Sequence, residues 1–170
     1  MISGKAGSGK DFLGDILEKR GCRRSAFADQ LKYITSKIYG IPLQDLNTQQ
    51  GKKKMYHDKT YRQILIEEST RYKKEDKYFF ARPVIDRFKI SNTSKNGVIT
   101  DFRFPEEFEY AKKELAGIYD VKTILIKRDA HIQVDDTSER ALDIGFYFDY
   151  VLDNNGSIHD LKNQLFIFNL

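Results

Sequence analysis

Residues 4–10 read Gly-Lys-Ala-Gly-Ser-Gly-Lys, and that run narrows the fold more than any other part of the chain. Glycines at 4, 7 and 9 free the backbone to turn consecutive N–H groups inward, where they form an anion-binding concavity. A helix beginning at Lys10 points its positive end at the same place. Lys10 adds a mobile charge suited to the β- and γ-phosphates of a nucleoside triphosphate. The pattern is G-x-x-x-x-G-K, with Asp11 where a Ser or Thr commonly follows. The expected triphosphate contacts are Gly4, Lys5, Ala6, Gly7, Ser8, Gly9, Lys10, Asp11 and Phe12. The plainer alternative is a glycine-rich turn with no ligand. The context argues against it, because an apolar strand end at Met1–Ser3 precedes the loop. An amphipathic helix over Lys10–Lys19 follows, with Phe12, Leu13, Ile16 and Leu17 on one face.

The rest of the chain alternates strand and helix. Strands are expected at Arg24–Phe27, Gly97–Thr100, Val121–Ile126 and Tyr150–Leu152. Helices are expected at Ala28–Tyr39, Thr60–Tyr72, Lys77–Ile90 and Pro105–Leu115. A closing helix runs from Ser157 as cap through Ile167. Pro83 predicts a kink in the fourth helix or a later start. Leu43–Lys59, polar and with the run Lys52-Lys53-Lys54, reads as a mobile loop. Strands separated by helices imply a parallel sheet covered on both faces. The fold class is therefore α/β: a three-layer α/β/α phosphate-loop NTPase with a parallel sheet of about five strands.

At 170 residues the chain fits one domain, read as 1–170. The single cysteine cannot form an internal disulfide and is too few for a structural zinc site. With no secretion signal at the N-terminus, the expected location is cytoplasmic. No apolar run reaches the ~20 residues needed to span a bilayer. A formal charge of +4 and an isoelectric point near 9.0 fit either a lysine-rich solvated surface or a preference for anionic partners. Nucleic acid is not expected, because neither stacked-aromatic RNA motifs nor a helix-turn-helix pattern is present.

Further candidates cluster at element ends, where α/β proteins bind ligands. Asp101 and Arg103 follow the Gly97–Thr100 strand directly. Arg103 is suited to a bidentate phosphate clamp, and Asp101 to orienting Mg²⁺ or the acceptor. Asp11 is the other candidate for Mg²⁺, directly or through water. Lys32, Arg62, Arg82 and Arg103 are candidate anchors for an acceptor phosphate, with the helical acceptor region at about 40–90; Arg71 is a weaker one. Each has an ordinary surface cation as its alternative. The polar segment 128–143 is a natural lid, with Arg128 and Arg140 closing over transition-state charge.

The segments S-G-K-A-G-S-G-K-D-F (3–12), F-A-D-Q-L-K (27–32), Y-R-Q-I-L (61–65), Y-F-F-A-R (78–82), I-T-D-F-R-F-P-E-E (99–107), I-L-I-K-R (124–128), D-T-S-E (136–139) and V-L-D-N-N-G-S (151–157) carry a family resemblance. Together they resemble the deoxynucleoside monophosphate kinases of bacteriophages and large DNA viruses. That resemblance implies a nucleoside-monophosphate-kinase-like fold with a lid and transfer of the ATP γ-phosphate to a nucleoside monophosphate, with ATP and Mg²⁺. It also implies a host-cell cytoplasmic setting. An Asp after the loop lysine is usual in that family; Asp136, where the family often has histidine, and the missing glycine after Arg62 depart from it. Homodimers are common among such kinases. Ser3–Phe12, the strand-end Asp101 and Arg103, and Asp135–Glu139 are also similar to animal-type phosphomevalonate kinase. R-F-P-E-E and Y-R-Q-I-L favour the nucleotide reading. A phosphate-loop protein that binds nucleotide without transferring phosphate is the alternative from another class.

Overall fold

The computed structural model describes residues 1–90, 96–129, 141–143 and 145–168. Arg140 and the Asp135–Glu139 segment lie outside them, as does most of the expected lid. Among the described residues the chain is mixed α/β, with seven α-helices and short, mostly parallel strands. It divides into two compact units, Phe27–Pro83 and the remainder, Met1–Ala26 with Val84–Leu170.

The larger unit holds all the parallel strands. These are β1 (Ile2–Ser3), β2 (Arg23–Ser25), β5 (Gly97–Ile99), β6 (Ile124–Lys127) and β7 (Tyr150–Asp153). They pair as a three-stranded sheet in the order β1-β6-β7 and a two-stranded sheet β2-β5. Registers are Ile2↔Ile124, Ile124↔Tyr150 and Arg24↔Val98. The sequence pattern called for one sheet of about five strands. Five parallel strands are present, but β1 and β5 are too short to form a ladder with each other. One backbone bond, from the Phe102 N–H to the Ile2 carbonyl at 3.1 Å, spans the gap.

Helices α1 (Lys10–Lys19), α6 (Pro105–Glu114) and α7 (Ile158–Ile167) belong to this unit. Leu13, Ile16 and Leu17 of α1, and Leu161 and Leu165 of α7, pack with Ile2, Val98, Ile124, Ile126 and Leu152. Full burial of each such side chain is worth about 1.5–3 kcal/mol. Ser157 caps α7, its hydroxyl accepting from the Asp160 N–H while the Asp160 carboxylate accepts from the Ser157 N–H. Strand β6 begins at Ile124 rather than Val121, because Thr123 turns its N–H and hydroxyl to Asp149 at 2.7 and 2.8 Å.

The smaller unit is built on α2 (Ala28–Tyr39) and α4 (Tyr61–Glu75), around buried Leu31, Ile41, Leu46, Ile64 and Leu65. Leu43–Lys59, expected as a loop, is structured. It forms α3 (Leu43–Asn47), a 3-10 turn (Gly51–Lys53) and a hairpin of β3 (Met55–Tyr56) and β4 (Lys59–Thr60). Leu46 is fully buried, Lys54 pairs with Asp45 at 2.8 Å, and Gly51 packs so closely on the Asp45 backbone that a Cβ would clash. The polar composition hid these contacts. Thr60 and Gln63 form a reciprocal cap on α4. Helix α5 (Ala81–Ile90) starts later than Lys77, which places Pro83 in the first turn, where its missing N–H costs nothing.

Candidate functional site

In parallel strands the carboxyl ends share one edge, and the loops leaving that edge build ligand sites. Here the loops after β1, β5, β6 and β7 carry Gly4–Gly9, Asp101–Phe104, Arg128–Asp129 and Asn154–Gly156. The first of these has the backbone that its glycines predict, with φ of 152° at Gly4, 80° at Gly7 and 101° at Gly9. The Ser8 N–H closes a turn on the Lys5 carbonyl at 3.1 Å, and the Leu13 N–H on the Gly9 carbonyl begins α1. Lys10 folds back, its ammonium donating to the carbonyls of Gly4 and of Lys5, the latter at 2.9 Å.

The space in front of this loop is a cavity of about 520 Å³. Lys5, Arg103, Lys127 and Arg128 line it, against the carboxylates of Asp129 and Asp143. That excess of cations suits an anion. Ser8 also lines it; its hydroxyl is buried, with no hydrogen-bond partner among the described residues. A Cβ on Gly4 would lie 2.4 Å from the Ile126 carbonyl and 2.7 Å from the Ser8 Oγ, so only glycine fits there. A glycine cradle, a lysine, an orphaned buried hydroxyl and a helix N-terminus form a donor set that fits a polyphosphate.

Arg103 is held from behind. Glu107, buried in the first turn of α6, accepts from the N–H groups of Arg103 and Phe104 at 3.0 and 3.1 Å through one oxygen, Oε2. Phe146 and Phe148 pack edge-on to Phe102 and close the apolar side of the cavity. Lys5 is paired with Asp143 at 2.6 Å. Asn154 donates from its side-chain amide to the Ser8 carbonyl at 2.8 Å. Glu107, Asp143, Asn154, Phe146 and Phe148 were given no role from sequence. Two of them stand in segments already conspicuous there, R-F-P-E-E and D-N-N-G-S, yet nothing in a linear string shows what their side chains reach.

The two residues considered for Mg²⁺ differ in setting. Asp11 is turned to Arg24 at 2.7 Å, and its side chain is 86% exposed. Arg24 also pairs with Asp15. Asp101 sits half-buried just beyond β5. Among the described residues no group of three His, Cys, Asp or Glu side chains is arranged to hold a metal.

Lys32, Arg62, Arg71 and Arg82 all fall in the smaller unit. Lys32 neighbours Asp29 at 3.6 Å, Arg62 donates to Gln49, and Arg82 pairs with Asp76 at 2.8 Å. Arg71 pairs with Glu68, a buried carboxylate that also accepts from the Tyr39 hydroxyl at 2.9 Å. That contact gives Arg71 a structural job. No helix among the described residues is long and apolar enough to cross a membrane.

A family model described as phosphomevalonate kinase matches residues 2–116. This is the second of the two resemblances carried by the sequence. It supports a phosphotransferase that uses ATP on a small phosphorylated molecule, and lends no support to a nucleoside monophosphate as substrate or to a viral source. No curated protein matches the chain.

Proposed function

The chain belongs to the phosphomevalonate kinase family, and we propose that it transfers the γ-phosphate of ATP to the phosphate of a small acceptor, with phosphomevalonate as the first candidate. The observation that carries this is the Gly4–Lys10 loop, which sets a buried, unpartnered Ser8 hydroxyl in a cation-lined cavity and holds the Lys10 ammonium on its own Gly4 and Lys5 carbonyls. The strands also run β2-β5 and β1-β6-β7, linked at Phe102 and Ile2, with the loop after β1 at the point where connections diverge to either side. That arrangement favours a phosphate-loop NTPase fold.

An acceptor phosphate is itself a nucleophile, so the residues need only position it and stabilise charge. Loop N–H groups and the start of α1 receive the triphosphate. Lys10 exchanges its bonds to the Gly4 and Lys5 carbonyls for phosphate oxygens. Arg103, braced by Glu107, offers its guanidinium to charge that spreads over the transferring group. Arg128 stands on the same cavity; Arg140, with the rest of the 128–143 lid, is assigned a closing role. Lys32, Arg62 and Arg82 of the smaller unit are assigned to the acceptor's phosphate. Asp11 and Asp101 are assigned to Mg²⁺, and Asp11 would have to release Arg24 to serve. When bound, the ion would supply charge neutralisation to the triphosphate.

A second acceptor class, the deoxynucleoside monophosphates, rests on the R-F-P-E-E and Y-R-Q-I-L segments. ADP release from ATP and Mg²⁺ is measured with phosphomevalonate, the four deoxynucleoside monophosphates and their ribose counterparts. Turnover with phosphomevalonate alone supports the first reading, and turnover with a nucleotide alone the second. No turnover with any acceptor, beside tight ATP binding, would leave a nucleotide-binding protein without transfer.

A further inference from the structure

Asn154 lies just past β7, far along the chain from the phosphate loop, and is bonded into it. Its amide nitrogen donates to the Ser8 carbonyl at 2.8 Å, and its own backbone N–H donates to the Lys127 carbonyl at 2.8 Å. The next residue, Asn155, accepts from the Asp129 N–H at 2.8 Å. The turn after β7 thus holds the loops after β1 and β6 together. Gly9 makes this possible, since a Cβ there would fall 2.4 Å from the Asn154 amide nitrogen. A peptide plane has one orientation, so fixing the Ser8 carbonyl outward also fixes the Gly9 N–H on the opposite side.

We propose that Asn154 is a positioning residue for the triphosphate, acting through the Ser8–Gly9 peptide to keep the loop's N–H groups aimed at the phosphates. This rests on the phosphate-loop reading of Gly4–Lys10. Asn154 touches the loop and no reacting atom, so its loss acts on ATP and not on the acceptor.

The test compares wild type, Asn154→Ala, Asn154→Asp and Lys10→Ala. ATP affinity is read by calorimetric titration, the KM of each substrate by ADP release, and the fold by thermal melting. Asn154→Asp keeps size and turn preference but removes the donor. Losing one net hydrogen bond predicts ATP affinity about five- to tenfold weaker in Asn154→Ala. The loss in Asn154→Asp is at least as large, because a carboxylate then faces a carbonyl oxygen. The KM for ATP rises in step, the acceptor KM stays near wild type, and the melting temperature falls by no more than about 2–4 °C, the cost of one hydrogen bond in a chain of this size. Wild-type ATP affinity in both Asn154 variants, with Lys10→Ala impaired, overturns the positioning role and leaves the phosphate loop intact. A fall in melting temperature with unchanged ATP affinity also overturns it, by making Asn154 merely structural. A wild-type protein that binds no ATP removes the premise and the proposal together.

Discussion

Replacing Glu107 separates what its shape contributes from what its charge contributes. Its carboxylate is buried and accepts two backbone N–H groups through one oxygen. Hydrogen bonds to a charged acceptor are worth about 1.5–3 kcal/mol each. Glu107→Ala removes both acceptor contacts, but Arg103 and Phe104 are only half-buried, so water recovers part of the loss. The expected cost is about 3 kcal/mol. For a chain of this size that lowers the melting temperature by about 6–12 °C. Glu107→Gln keeps an oxygen able to accept from both N–H groups and gives up the charge. Its cost is about 1 kcal/mol, a shift of about 2–4 °C. Because the same contacts fix the turn that presents Arg103, kinase activity falls further in the Ala variant than its folded fraction explains. Thermal melting with ADP-release kinetics at a temperature where both variants are folded provides the measurement. Equal damage in Gln and Ala would refute the reasoning, since the single-oxygen geometry would then count for nothing.

Other outcomes follow from the same contacts. Lys10→Ala is expected to abolish turnover and leave the melting temperature unchanged; turnover near wild type would sink the phosphate-loop assignment. Tyr39→Phe takes a hydroxyl from buried Glu68 and is expected to cost about 1–3 kcal/mol in urea unfolding, with no loss if the bond is unimportant. Burial works against the Asp149 charge, but the N–H and hydroxyl of Thr123 and the nearby Lys122 ammonium outweigh it, holding the carboxyl below the usual carboxylate range. A lowered folded-state pKa gives stability that is present above about pH 4 and is lost as pH falls through the folded value. Asp149→Asn is therefore expected to flatten the acid limb of a stability–pH curve, and a parallel limb would count against it.

What the sequence showed was mostly local. Helix α1, the cap at Ser157 and the strand ends at Asp101 and Arg103 follow from periodicity and turn chemistry within about ten residues. Pro83 called for either a kink or a later start, and α5 takes the later start. Leu43–Lys59 was misread because its order comes from Leu46 burial, the Gly51 packing and the Lys54–Asp45 pair. None of these leaves a periodic trace in a polar stretch. The absence of a ladder between β1 and β5 among the described residues was equally hidden, since composition cannot say how many residues of two strands face each other. At the site, Gly4–Lys10 was legible as a motif. Its supports, Glu107, Asp143 and Asn154, were not, because each depends on a contact distant in sequence or on which oxygen does the accepting.

The Asn154–Ser8 bond also bears on when the site exists. Its partners are 146 residues apart. Contacts of such separation must close a long loop before they stabilise anything, and they arrive late in folding. On the ribosome the Gly4–Lys10 loop emerges well before β6, β7 and the turn after them. A nascent chain therefore carries the full glycine motif in a form that lacks its clamp until β7 and the turn after it have emerged. Under the proposed function, a loop without its clamp binds triphosphate more weakly, so ATP offers less help to the growing chain than to the folded one.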